Sequence, residues 1–232
     1  MLTETELDFG PATGLICREC GTQVGLGARH VCAECFGPLE VMYEFGEITR
    51  EQIEAGPRSI WRYAPLLPVP QDAANRPADL APGFTRMQKS VNLAEKLGMT
   101  NLWIKDDRDN PTHSFKDRVV AVAMAAGQTL GFTTISCAST GNLANAVAAA
   151  AARAGVRSVV LIPDDLEQGK VITSAVYGTT LVGGLDAGAI DVADRGHRGD
   201  RHAAIFRRHS QVFDDLRIRQ SFFAEADTYR NL

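Results

Sequence analysis

The chain has 232 residues, 45% of them hydrophobic and 22% charged, and its 24 basic and 28 acidic side chains leave a formal net charge of −4. No run reaches the roughly 20 apolar residues a spanning helix needs, the acidic start MLTETELDFG lacks the regions of an export signal, and the negative balance opposes non-specific nucleic-acid binding. The expectation is a cytoplasmic protein with no membrane or nucleic-acid partner, built as one full domain plus a small module.

Four of the five cysteines crowd between positions 17 and 35. Two Cys-x-x-Cys pairs, Cys17 with Cys20 and Cys32 with Cys35, are separated by the eleven residues from Gly21 to Val31. This is a zinc-ribbon pattern: each pair fits a tight turn whose amides face the thiolates, and two turns supply four sulfurs at tetrahedral spacing. A metal with four protein ligands would be structural. The plainer alternative is four reduced cysteines; a redox pair is disfavoured because no strand-then-helix pattern follows either motif.

A strand is predicted over residues 39–45. Thr49 and Gln52 then form a capping box for a short helix that Gly56-Pro57 ends. Residues 60–82, rich in Pro, Ala and Asp, read as an ordered but irregular connection. From Val91 the pattern alternates: helix 91–98, strand 101–105, helix 114–130, strand 133–137, helix 143–153, strand 158–162, helix 167–177, strand 179–182. Gly98, Gly131, Gly155 and Gly178 stand where left-handed C-caps belong. Such alternation predicts right-handed βαβ units and a parallel sheet with helices on both faces. From Gly183 to Leu232 it stops, lysine disappears, and arginine and histidine accumulate.

Ligands of parallel α/β sheets collect at the carboxyl ends of strands, where two loops are expected on neighbouring strands. In Asn110-Pro-Thr-His-Ser-Phe-Lys-Asp117, Lys116 falls in the first turn of a helix, and a helix N-terminus disfavours a charged ammonium, which frees the amine as a nucleophile. The alternative is a solvated lysine paired with Asp117 or Asp106. In Cys137-Ala-Ser-Thr-Gly-Asn142, small hydroxyl residues and glycine at a helix start form an anion cradle of backbone amides, or simply cap the helix.

Asn110-Pro-Thr-His-Ser-Phe-Lys116-Asp-Arg118 with Ala138-Ser-Thr-Gly-Asn142 resembles the pyridoxal-phosphate site of fold-type II enzymes, specifically of the threonine synthases. The Cys-x-x-Cys ribbon, Ser59-Ile-Trp-Arg-Tyr63 and Leu166-Glu-Gln-Gly-Lys170 are similar to the zinc-ribbon-bearing bacterial members, and the resemblance runs from about Leu15 to Val182. It implies that Lys116 bonds the cofactor's aldehyde and shuttles protons, that Asn142 hydrogen-bonds its phenolic oxygen, and that Phe115 lies beside its ring or packs the helix start. It also implies that Ser139, Thr140 and Gly141 receive the substrate carboxylate, and that Cys17, Cys20, Cys32 and Cys35 hold zinc. The reaction so implied converts O-phosphohomoserine and water to threonine and phosphate. Cysteate synthase, a serine or threonine dehydratase, and a non-catalytic zinc-ribbon binding protein are the alternatives; a homodimer is left open.

The sequence also departs from the family. Gly83-Phe-Thr-Arg86 stands where a Gly-x-Thr-Pro-Leu turn is usual, and neither the glycine-rich phosphate loop nor the hydroxyl for the ring nitrogen can be found after Val182. The expected organisation is a ribbon over 1–47, a connecting segment over 48–90, a partial α/β domain over 91–182, and an atypical tail over 183–232, read as a truncation with a foreign or frame-shifted end. Catalysis by the chain alone is expected to be impaired.

Overall fold

The computed structural model describes residues 8–70, 72–73, 79–163 and 165–185; the expected tail beyond residue 185 lies outside them. The chain begins with β1 (Ala12–Cys17), β2 (Gln23–Val24) and β3 (Leu39–Tyr43), an antiparallel sheet with β1 in the middle and Leu15 opposite both Val24 and Val41. The capping box forms as its residues dictate: the Thr49 hydroxyl accepts from the Gln52 amide, the Gln52 side chain accepts from the Thr49 amide, and α1 (Arg50–Ala55) follows.

The stretch expected to be irregular contains a 3-10 helix over Ile60–Leu66, with the Ser59 hydroxyl accepting from the Trp61 amide. Pro65 cannot donate to an α-helical ladder, which favours this short, tight form. Behind it, Trp61, Val69 and Ala73 bury themselves with Ala121 and Ala125, so the charge-poor segment is an apolar strap over the helix that carries Lys116.

β4 (Met87–Lys89), α2 (Val91–Lys96) and β5 (Trp103–Lys105) form a separate unit in which the two strands pair antiparallel. This corrects the expectation that the strand before the Lys116 loop neighbours the strand before the Ser139 loop. All three residues of β5 pair with β4, and among the described residues β5 has no pairing with β6 (Thr134–Ala138), whose hydrogen-bonded neighbour is β7 (Arg157–Pro163). The parallel sheet consists of β6, β7 and β8 (Thr180–Leu185), in that order. α4 (Asn142–Ala154) and α5 (Gln168–Ala175) are its crossovers, and α3 (Lys116–Thr129) packs on α4. The middle strand is apolar on both faces, with Val159 and Val160 fully buried, as a covered parallel strand requires. α4 presents alanines at 144, 146, 148, 149 and 151 to its neighbours, all buried, and these small side chains allow close approach of helix and sheet. Gly98, Gly131, Gly155 and Gly178 all have positive φ, between 66° and 78°, as expected of helix stops.

Candidate active site

Lys116 is the first residue of α3, and the Ser114 hydroxyl accepts its backbone N–H at 3.2 Å. The loop before it is fixed from several sides. Asn110, buried, accepts the Gly83 N–H at 2.9 Å and donates to the Asp107 carbonyl at 3.0 Å. Asp117, only 4% exposed, accepts the Thr112 N–H at 2.8 Å on one oxygen and the Thr112 hydroxyl at 2.7 Å on the other. Between them His113 takes a left-handed φ of 60°, with Nδ1 2.7 Å from the Arg108 carbonyl.

The two carboxylates named as alternative partners of Lys116 are occupied elsewhere, since Asp117 serves Thr112 and Asp106 is gripped by the Arg108 guanidinium at 2.7 and 2.8 Å. Among the described residues Lys116 has no carboxylate partner; its ammonium lies 5.1 Å from the Phe115 ring centroid. Phe115 is 54% exposed, so it does not pack the helix start into the core. Asn110 and Asp117 lie within the motif, and their role in holding the loop is not evident from the motif's spacing. Their polarity at positions flanking a helix start was the available signal.

The second loop leaves the carboxyl end of β6 through Ser139, Thr140 and Gly141 and enters α4 at Asn142, which is exposed. Ser139 donates its N–H to the Leu161 carbonyl at 3.3 Å, which ties the loop to β7. The N-cap of α4 is Gly141, which has no side chain to cap with; the Ser139 hydroxyl accepts the Gly141 N–H at 3.4 Å, and a Cβ added to Gly141 would meet nothing within 4 Å. The first-turn amides of α4 thus have no side-chain cap from the N-cap residue, and a helix start left in this way suits an anion. The starts of α3 and α4 are held together by one buried cluster that includes Val120, Ala144 and Val147. Cys137, in β6 just before the loop, is buried, and burial pushes its thiol up to about 12, which removes it as a nucleophile.

The residues present fit the amine, ring and carboxylate side of a pyridoxal-phosphate site, with an unpaired lysine, an exposed asparagine and an uncapped helix start. Among the described residues no glycine-rich cradle for the cofactor phosphate is found.

The cysteines form a second centre. The two turns repeat one hydrogen-bond scheme: the Cys17 carbonyl accepts from Gly21 and its N–H donates to Thr22, while the Cys32 carbonyl accepts from Phe36 and its N–H donates to Gly37. Residues 21 and 36 both adopt positive φ. The Cys17 and Cys35 sulfurs are 3.4 Å apart, those of Cys20 and Cys32 are 3.6 Å apart, and all four lie within 4.8 Å of one another. Sulfurs around tetrahedral zinc, with bonds of about 2.3 Å, are separated by about 3.8 Å, so the donor set fits. Without a cation the sulfurs compete. The Thr22 hydroxyl and amide bring the Cys20 thiol down to about 6; the Gly37 amide favours the Cys35 thiolate, but the sulfurs of Cys20 and Cys17 outweigh it and push that thiol up to about 12. Four sulfurs at this spacing suit a metal ion, whose charge would favour the thiolate at all of them.

A family model described as pyridoxal-phosphate dependent enzyme matches residues 78–206, more than half of the chain. Threonine synthase of Methanosarcina acetivorans is 37% identical over 172 residues, covering 72% of this chain, and that of Methanocaldococcus jannaschii is 33% identical over 171 residues, again covering 72%. The chain spans 42% of the length of each of these relatives. Among solved structures, a hydrogen sulfide-producing enzyme of Fusobacterium nucleatum aligns with a TM-score of 0.47 and 20% identity, over 64% of this chain and 44% of that one. With the βαβ sheet, the uncapped helix start and the lysine at the head of α3 already in place, the chain belongs to the pyridoxal-phosphate-dependent enzymes of fold-type II and is related to the threonine synthases.

Proposed function

We propose that this chain carries the amine half of a threonine synthase site, acting on O-phosphohomoserine and water to give threonine and phosphate. The observation that carries the reading is Lys116 at the first position of α3, without a carboxylate partner, beside the uncapped start of α4. Pyridoxal phosphate, when bound, supplies an aldehyde for an amine and a pyridine ring that takes up electrons as protons leave the substrate. In this reading the Lys116 Nζ is the amine that bonds the cofactor and later carries protons, with Phe115 beside the ring. The Asn142 amide donates to the phenolic oxygen, and Ser139, Thr140 and Gly141 hold the substrate carboxylate. Cys17, Cys20, Cys32 and Cys35 hold a structural zinc ion in a ribbon over residues 1–47, outside the chemistry. Residues 48–90 connect it to the α/β part over 91–182, and 183–232 form a segment of different character.

Support comes from the family match and from relatives that are threonine synthases over the aligned stretch. The test is incubation of the purified chain with pyridoxal phosphate and borohydride, with peptide mass mapping and the Lys116→Ala variant alongside. A reduced label on Lys116, lost in the variant, is expected; label spread evenly over surface lysines would refute the assignment. Threonine formation from O-phosphohomoserine, set against product formation from phosphoserine, then separates threonine synthase from cysteate synthase chemistry.

A further inference from the structure

Arginine's planar fork of donors is seldom left idle in a folded protein, because each unspent N–H forgoes a charge-assisted bond. Two such forks converge on one aromatic ring here. The Arg58 guanidinium carbon lies 4.8 Å and that of Arg62 4.5 Å from the centroid of Phe84. The ring is 43% exposed, and its backbone adopts φ 53°, a strained setting for a bulky residue that brings it against both cations.

The nearby carboxylates are occupied by other partners. Glu54 is held by Arg50 at 2.7 Å, Asp79 accepts from the Trp61 indole and the Ala81 amide at 2.6 Å each, Asp107 is paired with Arg118, and Asp109 with Arg86. Among the described residues neither Arg58 nor Arg62 forms an ion pair. Arg62 spends one Nη2 bond on the Glu54 carbonyl at 3.2 Å, and its buried Nε has no partner. This leaves a double positive charge beside an apolar face.

The cluster is joined to the Lys116 loop through the backbone. Gly83, next to Phe84, donates its N–H to Asn110, the head of that loop, and Ile60, between the two arginines in sequence, donates to the Pro82 carbonyl at 2.7 Å. We infer that Arg58 and Arg62, both gathered at Phe84, form a site for a phosphate monoester dianion at the edge of the Lys116 site. Two forks match a dianion in charge, where a carboxylate would leave one cation uncompensated. The location rests on the proposed function; the anion chemistry does not.

The test is calorimetric titration of the zinc-loaded full chain, in phosphate-free buffer, with inorganic phosphate and with O-phosphohomoserine. Wild type is expected to bind both. Arg58→Gln, which alters an exposed side chain, and Arg62→Gln are each expected to weaken binding about tenfold or more, and Arg62→Lys to recover part of it. Arg153→Gln, an exposed arginine on α4, is expected to change nothing, and Lys116→Ala to keep phosphate binding. The source of the phosphate is read from Lys116 labelling with pyridoxal phosphate against pyridoxal. If the glutamine variants lose the preference for the phosphorylated form, the site serves the cofactor; if they keep it while O-phosphohomoserine binding falls, it serves the substrate, and either result supports the site. Wild type that binds neither anion at millimolar concentration, or glutamine variants that bind both as wild type does, would overturn it. Phosphate binding without Lys116 labelling would sink the proposed function and leave this site standing.

Discussion

Phe36 and Gly21 occupy the same place in the two cysteine turns, each four residues after the first cysteine of its pair and each at positive φ, 59° and 74°. Only glycine takes that conformation without its Cβ crowding the backbone. Phe36 is also 79% exposed, so its ring contributes little burial in return. Phe36→Gly is therefore expected to stabilise the ribbon by about 0.5–1 kcal/mol, the strain relieved exceeding the entropy a glycine adds to the unfolded chain. Urea unfolding of the zinc-loaded protein would register this as a higher midpoint; a lower one would mean that the ring makes contacts its exposure conceals. Gly37 poses the opposite case. A Cβ there would stand 2.7 Å from Glu19 Cγ, which can swing aside, and 3.0 Å from the Cys17 sulfur, which cannot without leaving the metal position. Gly37→Ala is expected to release zinc faster than wild type in competition with a chromophoric chelator, whereas Gly21→Ala, with nothing within 4 Å of its Cβ, strains only the backbone. Equal release from both variants would show that local strain alone governs the turn.

At the scale of elements, α3 depends on how its first turn is tied down. Both oxygens of the buried Asp117 carboxylate lean on Thr112. Thr112→Val keeps the shape and deletes the hydroxyl donor, and the loss of a hydrogen bond to a charged, buried acceptor costs about 1.5–3 kcal/mol. Urea denaturation should show that loss, and Thr112→Ser should restore most of it; a Thr112→Val protein as stable as wild type would mean that other donors replace the hydroxyl. The elements legible in the sequence were those specified within a few residues. The Thr49 to Gln52 box and the four glycine stops are local signals, and they hold because no distant partner can change what a capping hydroxyl or a left-handed φ requires. The partition of strands was not legible, since the pairing of Trp103–Lys105 with Met87–Lys89 depends on a chain reversal that residue types alone do not encode. Nor was the strap over α3, because Trp61, Val69 and Ala73 carry no periodicity until α3 lies beneath them. In the candidate site, Lys116 and the Ser139 to Asn142 turn could be read from spacing. The convergence of Arg58 and Arg62 on Phe84 could not, because it joins segments more than twenty residues apart.

Across the whole molecule, three of the four residues from Asp106 to Asp109 are aspartates, and each faces a different principal arginine. Asp106 is gripped by Arg108, with Arg86 4.0 Å away; Asp107 takes both terminal nitrogens of Arg118 at 2.7 and 2.9 Å and the Thr85 hydroxyl at 2.9 Å; Asp109 takes Arg86 at 2.8 and 3.0 Å. The Asp107 to Arg118 pair fastens this segment to α3, Asp109 ties it to Arg86 beside the Phe84 loop, and the Asp106 to Arg108 pair shapes the segment itself, so its setting depends on the three carboxylates remaining ionised. The bonds from Arg108 lower the Asp106 carboxyl from 3.8 to about 2, and Arg118 and Arg86 draw Asp107 and Asp109 down in the same sense. Protons therefore bind the unfolded chain more readily than the folded one. The stabilisation from Asp106 is complete above about pH 4 and drains away as the pH falls toward 2. Thermal unfolding followed by circular dichroism between pH 6 and pH 2 should show the midpoint falling most steeply in that window. In Asp106→Asn the midpoint should start lower at pH 6 and fall less on acidification, because an amide neither pairs with Arg108 as an ion nor takes up the proton. A variant whose pH profile runs parallel to wild type would place the acid lability elsewhere and leave the Asp106 to Arg108 pair without a part in the acid stability of the segment that follows β5.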